Sequence, residues 1–355
     1  MLCTATQPAL GKSDDFRIGL DHVTEIVPDP PHLFERLKRV RIRNFGPQSD
    51  DDITQKLTEH SQFLCIVNTR AHAANLFDRL RSPRSPRANG EATTFHLSTY
   101  MCGQHRKNVL DTIRQRLLDG LPCQVISTQL IEAGVDVDFP VVYRSLTGID
   151  SIAQAAGRCN REGRLNAGSV FVFEPTDVTL RGYLKAMADS ASELIADLNR
   201  HDMDLLNQDI VRRYFGLHFW RHKDRWDAQD VVSCFPGPWQ KIHFNFRSAS
   251  ERFRWIDDTS ETVFVAYDTT ARKLINQLRK LQNDASQIQE LLSVLRQLQR
   301  YSVSLFPNIY RAMVNTDIEV LDSGHAILIN ESCYDAQLGF RPDQKGFHEP
   351  HSLIV

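Results

Sequence analysis

The chain has 355 residues, 41% hydrophobic and 24% charged, with 42 basic against 44 acidic side chains. That length suggests about two domains; the hydrophobic fraction excludes a disordered chain, and 17 glycines and 15 prolines exclude a fibrous one. A net charge of −2 means that any nucleic-acid contact must come from a local patch, not a globally basic surface.

No run of about 18 apolar residues occurs, so no membrane span is expected. The opening MLCTATQPALGKS lacks the charged start and apolar stretch of a signal peptide. Seven cysteines, at 3, 65, 102, 123, 159, 234 and 333, form no CxxC pair. Neither a metal site nor a disulfide framework is therefore indicated, and the chain reads as cytoplasmic.

Along the chain, MLCTAT is a short strand-like piece, followed by a loop carrying Pro8, Pro28, Pro30 and Pro31 and then by the alternating stretch LKRVRIRNF. Residues 1–50 look like the end of something: either the first strand pairs later in the chain, or part of the protein is missing. From residue 62 a βα pattern appears. FLCIVN (63–68) is a continuous apolar run, the mark of a strand buried on both faces. Helical spacing follows over 69–81, and the loop 81–91 is rich in Pro, Arg and Ser. TTFHLST (93–99) is a strand, and RKNVLDTIRQRLLDG (106–120) a helix closed by Gly120. CQVIST (123–128), VVYRSL (141–146) and SVFVFEP (169–175) complete the strands, with SIAQAAGRCN between the last two. Strands alternating with helices predict a mostly parallel α/β sheet, with ligands at the carboxyl ends of its strands.

After about residue 176 the texture changes. LRGYLKAMADSASELIADLN and DLLNQDIVRRYFGLHFW are helical, KIHFNF (241–246) and ETVFVAYD (261–268) are strand candidates. Leu274, Leu278, Leu281, Ala285, Ile288, Leu292 and Leu295 keep a spacing that permits a coiled-coil seam. NDAS in their middle is a turn with its own cap, which favours two packed helices. The tail IEVLDSGHAILINESCYDAQLGF reads as a strand–turn–strand unit, so this half is a small α+β domain.

Two constellations carry chemistry. QAAGRCNREGR (154–164) offers Gln154, Gly157, Arg158, Arg161 and Arg164 just after a helix. Guanidinium groups spaced by three reach a phosphate chain together, and positioned arginines stabilise charge on a transferred phosphoryl group. The plain alternative is a solvated basic helix end; the fixed pattern Q-x-x-G-R-x-x-R weighs against it. STQLIEAGVDVDFP (127–140) begins at a strand's end. There the hydroxyl of Thr128 and nearby backbone N–H groups can meet a nucleic-acid phosphate, and Gly134 allows close backbone approach. Asp136 is placed to accept from a ribose or to orient an arginine. A weaker signal is Asn68 and Thr69 at the end of one strand, with His96, Ser98 and Arg106 flanking the next; many βα loops look like this.

Gly11-Lys12-Ser13 is a decoy. A phosphate-binding loop G-x-x-x-x-G-K-[ST] needs glycine six positions before the lysine, where Thr6 stands. No strand end of the DExD/H type is present to hold Mg²⁺, and the Asp-His neighbours lack the spacing of a metal cluster.

These residues resemble the helicase superfamily two core, and more narrowly the CRISPR-associated helicase–nuclease of type I systems. TAT at 4–6 is similar to the family's third motif, FLCIVNTRAHA to its fourth, STQLIEAGVDVDFP to its fifth and QAAGRCNREGR to its sixth. ETVFVAYD, LQRYSVSLFP and YDAQLGF look like its C-terminal accessory domain.

The resemblance implies that 1–50 is the tail of a first helicase lobe and a linker, 51–180 a second RecA-like lobe, and 181–355 linker helices with the accessory domain. Arg158 and Arg161 would be arginine fingers, with Gln154, Gly157, Gly134 and Asp136 at the nucleotide. Asn68, Thr69 and Thr128 would touch single-stranded DNA, while Thr4 and Thr6 would couple the lobes. ATP with Mg²⁺ would be used, the metal held mainly by a missing N-terminal nuclease/helicase half. An RNA-guided surveillance complex is the implied recruiter. The departure is that no HD nuclease, Walker A lysine or Walker B carboxylates are found, so one face of an ATP site is expected, inactive alone. Two alternatives stand beside this reading: the motor of a restriction complex, and a truncated DNA-binding or docking module without turnover.

Overall fold

The computed structural model describes residues 10–12, 19–81, 93–198, 204–225, 227–235, 244–253, 260–281 and 287–342. The strand-like start with Thr4 and Thr6, the loop 82–92 and the turn NDAS lie outside them.

Six strands form one sheet: β1 (Val40–Gln48), β2 (Gln62–Val67), β3 (Thr94–Leu97), β4 (Cys123–Thr128), β5 (Val141–Ser145) and β6 (Gly168–Pro175). Their order is β1-β6-β5-β2-β4-β3, and every pairing is parallel. Alternation along β2 shows why both faces are covered. Leu64 and Ile66 join Val125, Val142 and Val170 on one face, under Ile113 and Ala155. Phe63, Cys65 and Val67 join Ile126 and Tyr143 on the other, under Ile53, Leu57, Leu76 and Phe77. A strand buried on both sides has no polar face, hence the continuous apolar run.

The covering helices are α2 (Asp50–Thr58), α3 (Arg70–Arg81), α4 (Gly103–Leu118) and α5 (Ile149–Ala156), preceded by α1 (Pro30–Leu37). Helix α2 opens on a capping box, in which Ser49 Oγ accepts from the Asp52 N–H at 3.1 Å and the Asp52 carboxylate accepts from the Ser49 N–H at 3.3 Å. Helix α4 starts earlier than the spacing predicts, and Gly120, at φ +67°, terminates it as expected. The expected division at residue 50 falls inside this unit, because β1 is hydrogen-bonded to β6 as the sheet's edge strand. Lys12 directly follows an isolated bridge between Gly11 and Leu20, and its Nζ pairs with Asp21 at 3.0 Å; the first helix among the described residues starts at Pro30.

Helices α6 (Gly182–Leu198) and α7 (Gln208–Arg221) pack on α5 through Ile195, Ile210 and Tyr214. The strand expected over KIHFNF is corrected where it is described: Phe246 opens the short helix α8 (Phe246–Arg252). Next come β7 (Glu261–Phe264), α9 (Thr269–Leu281), α10 (Ile288–Leu298), β8 (Ser302–Leu305), α11 (Pro307–Met313), β9 (Ile318–Val320) and β10 (Ala326–Leu328). The four strands form a mixed sheet, β8-β7-β10-β9, on which α9 and α10 pack as two separate helices sharing one core. A final hairpin, β11 (Tyr334–Asp335) with β12 (Gly339–Phe340), reaches back to the large sheet. There the Phe340 N–H donates to Tyr100 O at 2.9 Å, and the Cys102 N–H donates to Tyr334 Oη at 2.9 Å. Tyr100 and Cys102 belong to the core of the smaller unit, so the two halves share buried surface. The result is an α/β parallel sheet flanked by helices, followed by a smaller α+β region.

Candidate functional site

The loops after β2, β4 and β5, with the segment after α5, meet at the carboxyl edge of the parallel sheet. Helix α5 ends at Gly157, whose φ of −65° is ordinary helical backbone. A Cβ there would stand 3.3 Å from Gln154 O, so close approach, not left-handed conformation, is what a side chain would disturb. Beyond it the chain laces onto the segment before β5: the Phe139 N–H donates to Arg158 O at 2.9 Å, and the Asn160 N–H to Phe139 O at 2.9 Å. Asn160 turns with φ +46°, a left-handed conformation that asparagine adopts more readily than most side chains. Its amide holds Arg39 O at 3.0 Å and Leu165 O at 2.8 Å. Asp138 accepts from the Arg161 N–H at 2.7 Å and from the Glu162 N–H at 3.3 Å, closing the turn between them.

This scaffold aims two arginines differently. Arg158 is 8% exposed; its Nη2 donates to Glu132 O at 2.5 Å, while its Nε is buried with no hydrogen-bond partner among the described residues. A buried donor left open is costly, and such groups cluster where a ligand completes them. Burial, and then the neighbouring Arg161, push the Arg158 guanidinium below the ordinary arginine value, against Asp136 and Glu132. Arg161 is half exposed and pairs with Asp136, Nε to Oδ1 at 2.8 Å. Gly134 lies in the same loop at φ +70° with open space around it, so a side chain there meets backbone strain but no steric barrier. Gln154 is half-buried on the last turn of α5. Arg161 and Asp136 are thus in direct contact, Gly134 shares the loop of Asp136, and Gly157 and Arg158 follow the α5 turn that carries Gln154.

Asn68, Thr69 and Thr128 stand at the ends of β2 and β4, each under one-tenth exposed. The Asn68 side chain is engaged internally: its Nδ2 donates to Leu146 O at 2.8 Å and its Oδ1 accepts from Arg144 at 2.6 Å. Thr69 Oγ1 accepts from the His72 N–H at 3.1 Å and caps α3. Thr128 leads straight into a single 3-10 turn, Gln129–Ile131. Of the weaker signals, His96 is a core histidine whose pKa burial pushes down to about 3, and Ser98 is buried too. Among the described residues no group of three or more His, Cys, Asp or Glu side chains is arranged to hold a metal ion.

Sequence reasoning assigned no role to a buried charge network beneath this edge. Arg144, 1% exposed next to the last residue of β5, sets its Nε 2.8 Å from Glu132 Oε1. Its Nη1 donates to Asn68 and Ser145, and its Nη2 to Ser151 Oγ at 3.2 Å. Ser151 in turn donates to the Glu132 carboxylate at 2.6 Å. The signal was present: an arginine inside a strand otherwise read as buried must have a partner.

Residues 59–164 match the family model described as CRISPR-associated nuclease/helicase Cas3, C-terminal. A curated relative from Haloferax volcanii, a CRISPR-associated nuclease/helicase Cas3, is 51% identical over 59 residues, which are 16% of this chain and 6% of that one. The crystal structure of T. fusca Cas3 superposes with a TM-score of 0.55 at 13% identity, over 86% of this chain and 40% of that one. A chain in a solved CRISPR RNA-guided surveillance complex in its pre-nicking state superposes with a TM-score of 0.53 at 13% identity, over 82% and 41%. The chain thus spans less than half the length of the relatives it matches. No described helix is long and apolar enough to cross a membrane. Over residues 59–164 the chain is therefore similar to the C-terminal part of CRISPR-associated nuclease/helicase Cas3, and its fold, a RecA-like parallel sheet followed by a smaller region, is similar to that of the solved Cas3 structures.

Proposed function

We propose that this chain acts as the second motor lobe of an ATP-dependent, single-strand DNA translocating helicase in CRISPR defence. The observation that carries the reading is Arg158, a nearly buried guanidinium with an open Nε, set beside the half-exposed Arg161 at the carboxyl edge of a parallel sheet. Such a pair suits the phosphates of a nucleotide bound on a facing lobe. When that lobe closes, Arg161 exchanges its Asp136 partner for a phosphate oxygen, and Arg158 offers Nε to the charge that develops during transfer. Gln154, half-buried on the last turn of α5, is assigned to the terminal phosphate. A bound Mg²⁺ would neutralise phosphate charge and would be held mainly by the facing lobe.

The DNA-facing role falls to the ends of β2 and β4. Asn68 and Thr69 hold the backbone there, and the segment around Thr128 offers N–H groups to a strand's phosphates with little base preference. Recruitment by an RNA-guided surveillance complex is the partner this reading takes from its structural relative.

The test is ATP turnover by the purified chain, alone and mixed with a lobe carrying a nucleotide cradle, with and without single-stranded DNA. The chain alone should show no turnover, and the mixture should hydrolyse ATP faster when DNA is added. Turnover by the chain alone that Lys12→Ala abolishes would mean a complete ATP site lies within these 355 residues.

A further inference from the structure

We propose that the buried Arg144–Glu132 pair is a positioning device that ties the DNA-facing ends of β2 and β4 to Arg158. This inference rests on the proposed motor role. Two facts about the pair carry it.

The first is where it lies. Removing two charges from water is expensive, and well-packed apolar residues in place of a buried ion pair often leave a protein as stable or more so. Stability alone therefore does not explain Arg144, which is 1% exposed within the apolar strand β5. The guanidinium instead joins three separate segments: Asn68 at the end of β2, Glu132 after β4, and Ser151 in the first turn of α5.

The second is the double duty of Glu132. Its carboxylate holds Arg144 and Ser151, and its backbone carbonyl accepts from Arg158 Nη2 at 2.5 Å. Glu132 is joined to Thr128 by one 3-10 turn, with its own N–H donating to Gln129 O at 3.0 Å. A displacement at Thr128 therefore moves Glu132, and with it the carbonyl on which Arg158 rests. Arg144 resists that movement by anchoring the carboxylate to Asn68. Contact with a strand at the β2 and β4 ends is thereby converted into the placement of Arg158. Arg144, Glu132 and Ser151 act through Arg158 and touch neither nucleotide nor DNA.

The discriminating experiment is a double-mutant cycle on DNA-stimulated kcat, in the motor formed by this chain with a lobe that binds ATP. Arg144→Lys keeps the charge but loses the planar fork that reaches three segments at once. Misplacing a reacting group by about 1 Å costs on the order of 100-fold, so kcat should fall about 10- to 100-fold while KM for ATP holds. In an Arg158→Ala background the same change should alter kcat less than about twofold, because the group it positions is gone. Ser151→Ala removes one hydroxyl and should show the same dependence on Arg158, which keeps the test open should Arg144→Lys fold poorly. If both variants slow turnover by the same factor with and without Arg158, they act structurally and the inference is overturned. If Arg158→Ala itself leaves turnover unchanged, the motor reading has failed and the inference falls with it.

Discussion

Gly339→Ala tests how the smaller unit is fastened to the parallel sheet. Gly339 sits at φ +79°, and a Cβ there would stand 2.4 Å from Tyr100 O, 2.7 Å from Tyr100 C and 2.8 Å from Met101 Cα. All three are backbone atoms, which no rotamer change can move aside. Left-handed backbone costs an alanine roughly 1–2 kcal/mol, and withdrawing the hairpin loses the Phe340–Tyr100 hydrogen bond, about 1 kcal/mol. A penalty of about 3 kcal/mol makes local opening roughly 100-fold more frequent, since about 1.4 kcal/mol is tenfold. Buried thiols report that opening. Cys102 and Cys333 lie under the junction, whereas Cys65 and Cys123 lie within the large sheet. Labelling by a thiol reagent, read site by site by mass spectrometry, should accelerate about 100-fold at Cys102 and Cys333 and stay unchanged at Cys65 and Cys123. Equal acceleration at all four would mean global unfolding, and no change at Cys333 would mean the hairpin does not clamp the junction.

Two further outcomes follow from the same geometry. Binding of single-stranded DNA to the chain should weaken as salt rises, with a log–log slope of about −2 for about three phosphate contacts; fluorescence anisotropy across a salt series reads it, and salt-independent or sequence-selective binding would contradict it. Burial tends to raise the Asp50 pKa, but the hydrogen bond and charge of His72, with Arg79 and Asn75, outweigh it and hold the carboxyl below its ordinary 3.8. A lowered folded-state pKa contributes stability above the unfolded value that is lost as pH falls through the folded one. Urea unfolding should therefore show wild-type stability declining below about pH 4, with a shallower decline in Asp50→Asn; identical slopes would remove Asp50 from the account.

Much of the large sheet was legible because a doubly covered parallel strand writes itself as an apolar run. FLCIVN, CQVIST and VVYRSL each returned as a strand within a residue or two. The edge strand β1 was harder: its polar residues face solvent, and its partner β6 is more than 100 residues away, which local pattern does not register. KIHFNF failed at its described end because alternating aromatics suit a helix start as well as a strand. At the site, the spacing of Arg158 and Arg161 was visible, but their different surroundings were not. That difference arises from Glu132 O and Asp136 Oδ1, which only the lacing of Phe139 to Cys159 brings into place. Arg144 was written in β5 as a charge among apolar neighbours, yet its partners come from three separate segments, and Asn68 lies 76 residues away.

The most direct measurement is ATP turnover with Arg158→Ala and, separately, Arg161→Ala, in a motor where this chain faces an ATP-binding lobe and single-stranded DNA is present. Loss of a group that acts on transition-state charge should cut kcat by roughly 10³ or more, with nucleotide affinity and the unfolding midpoint changing far less. Unchanged turnover in both variants would contradict the assignment of this sheet edge to the nucleotide.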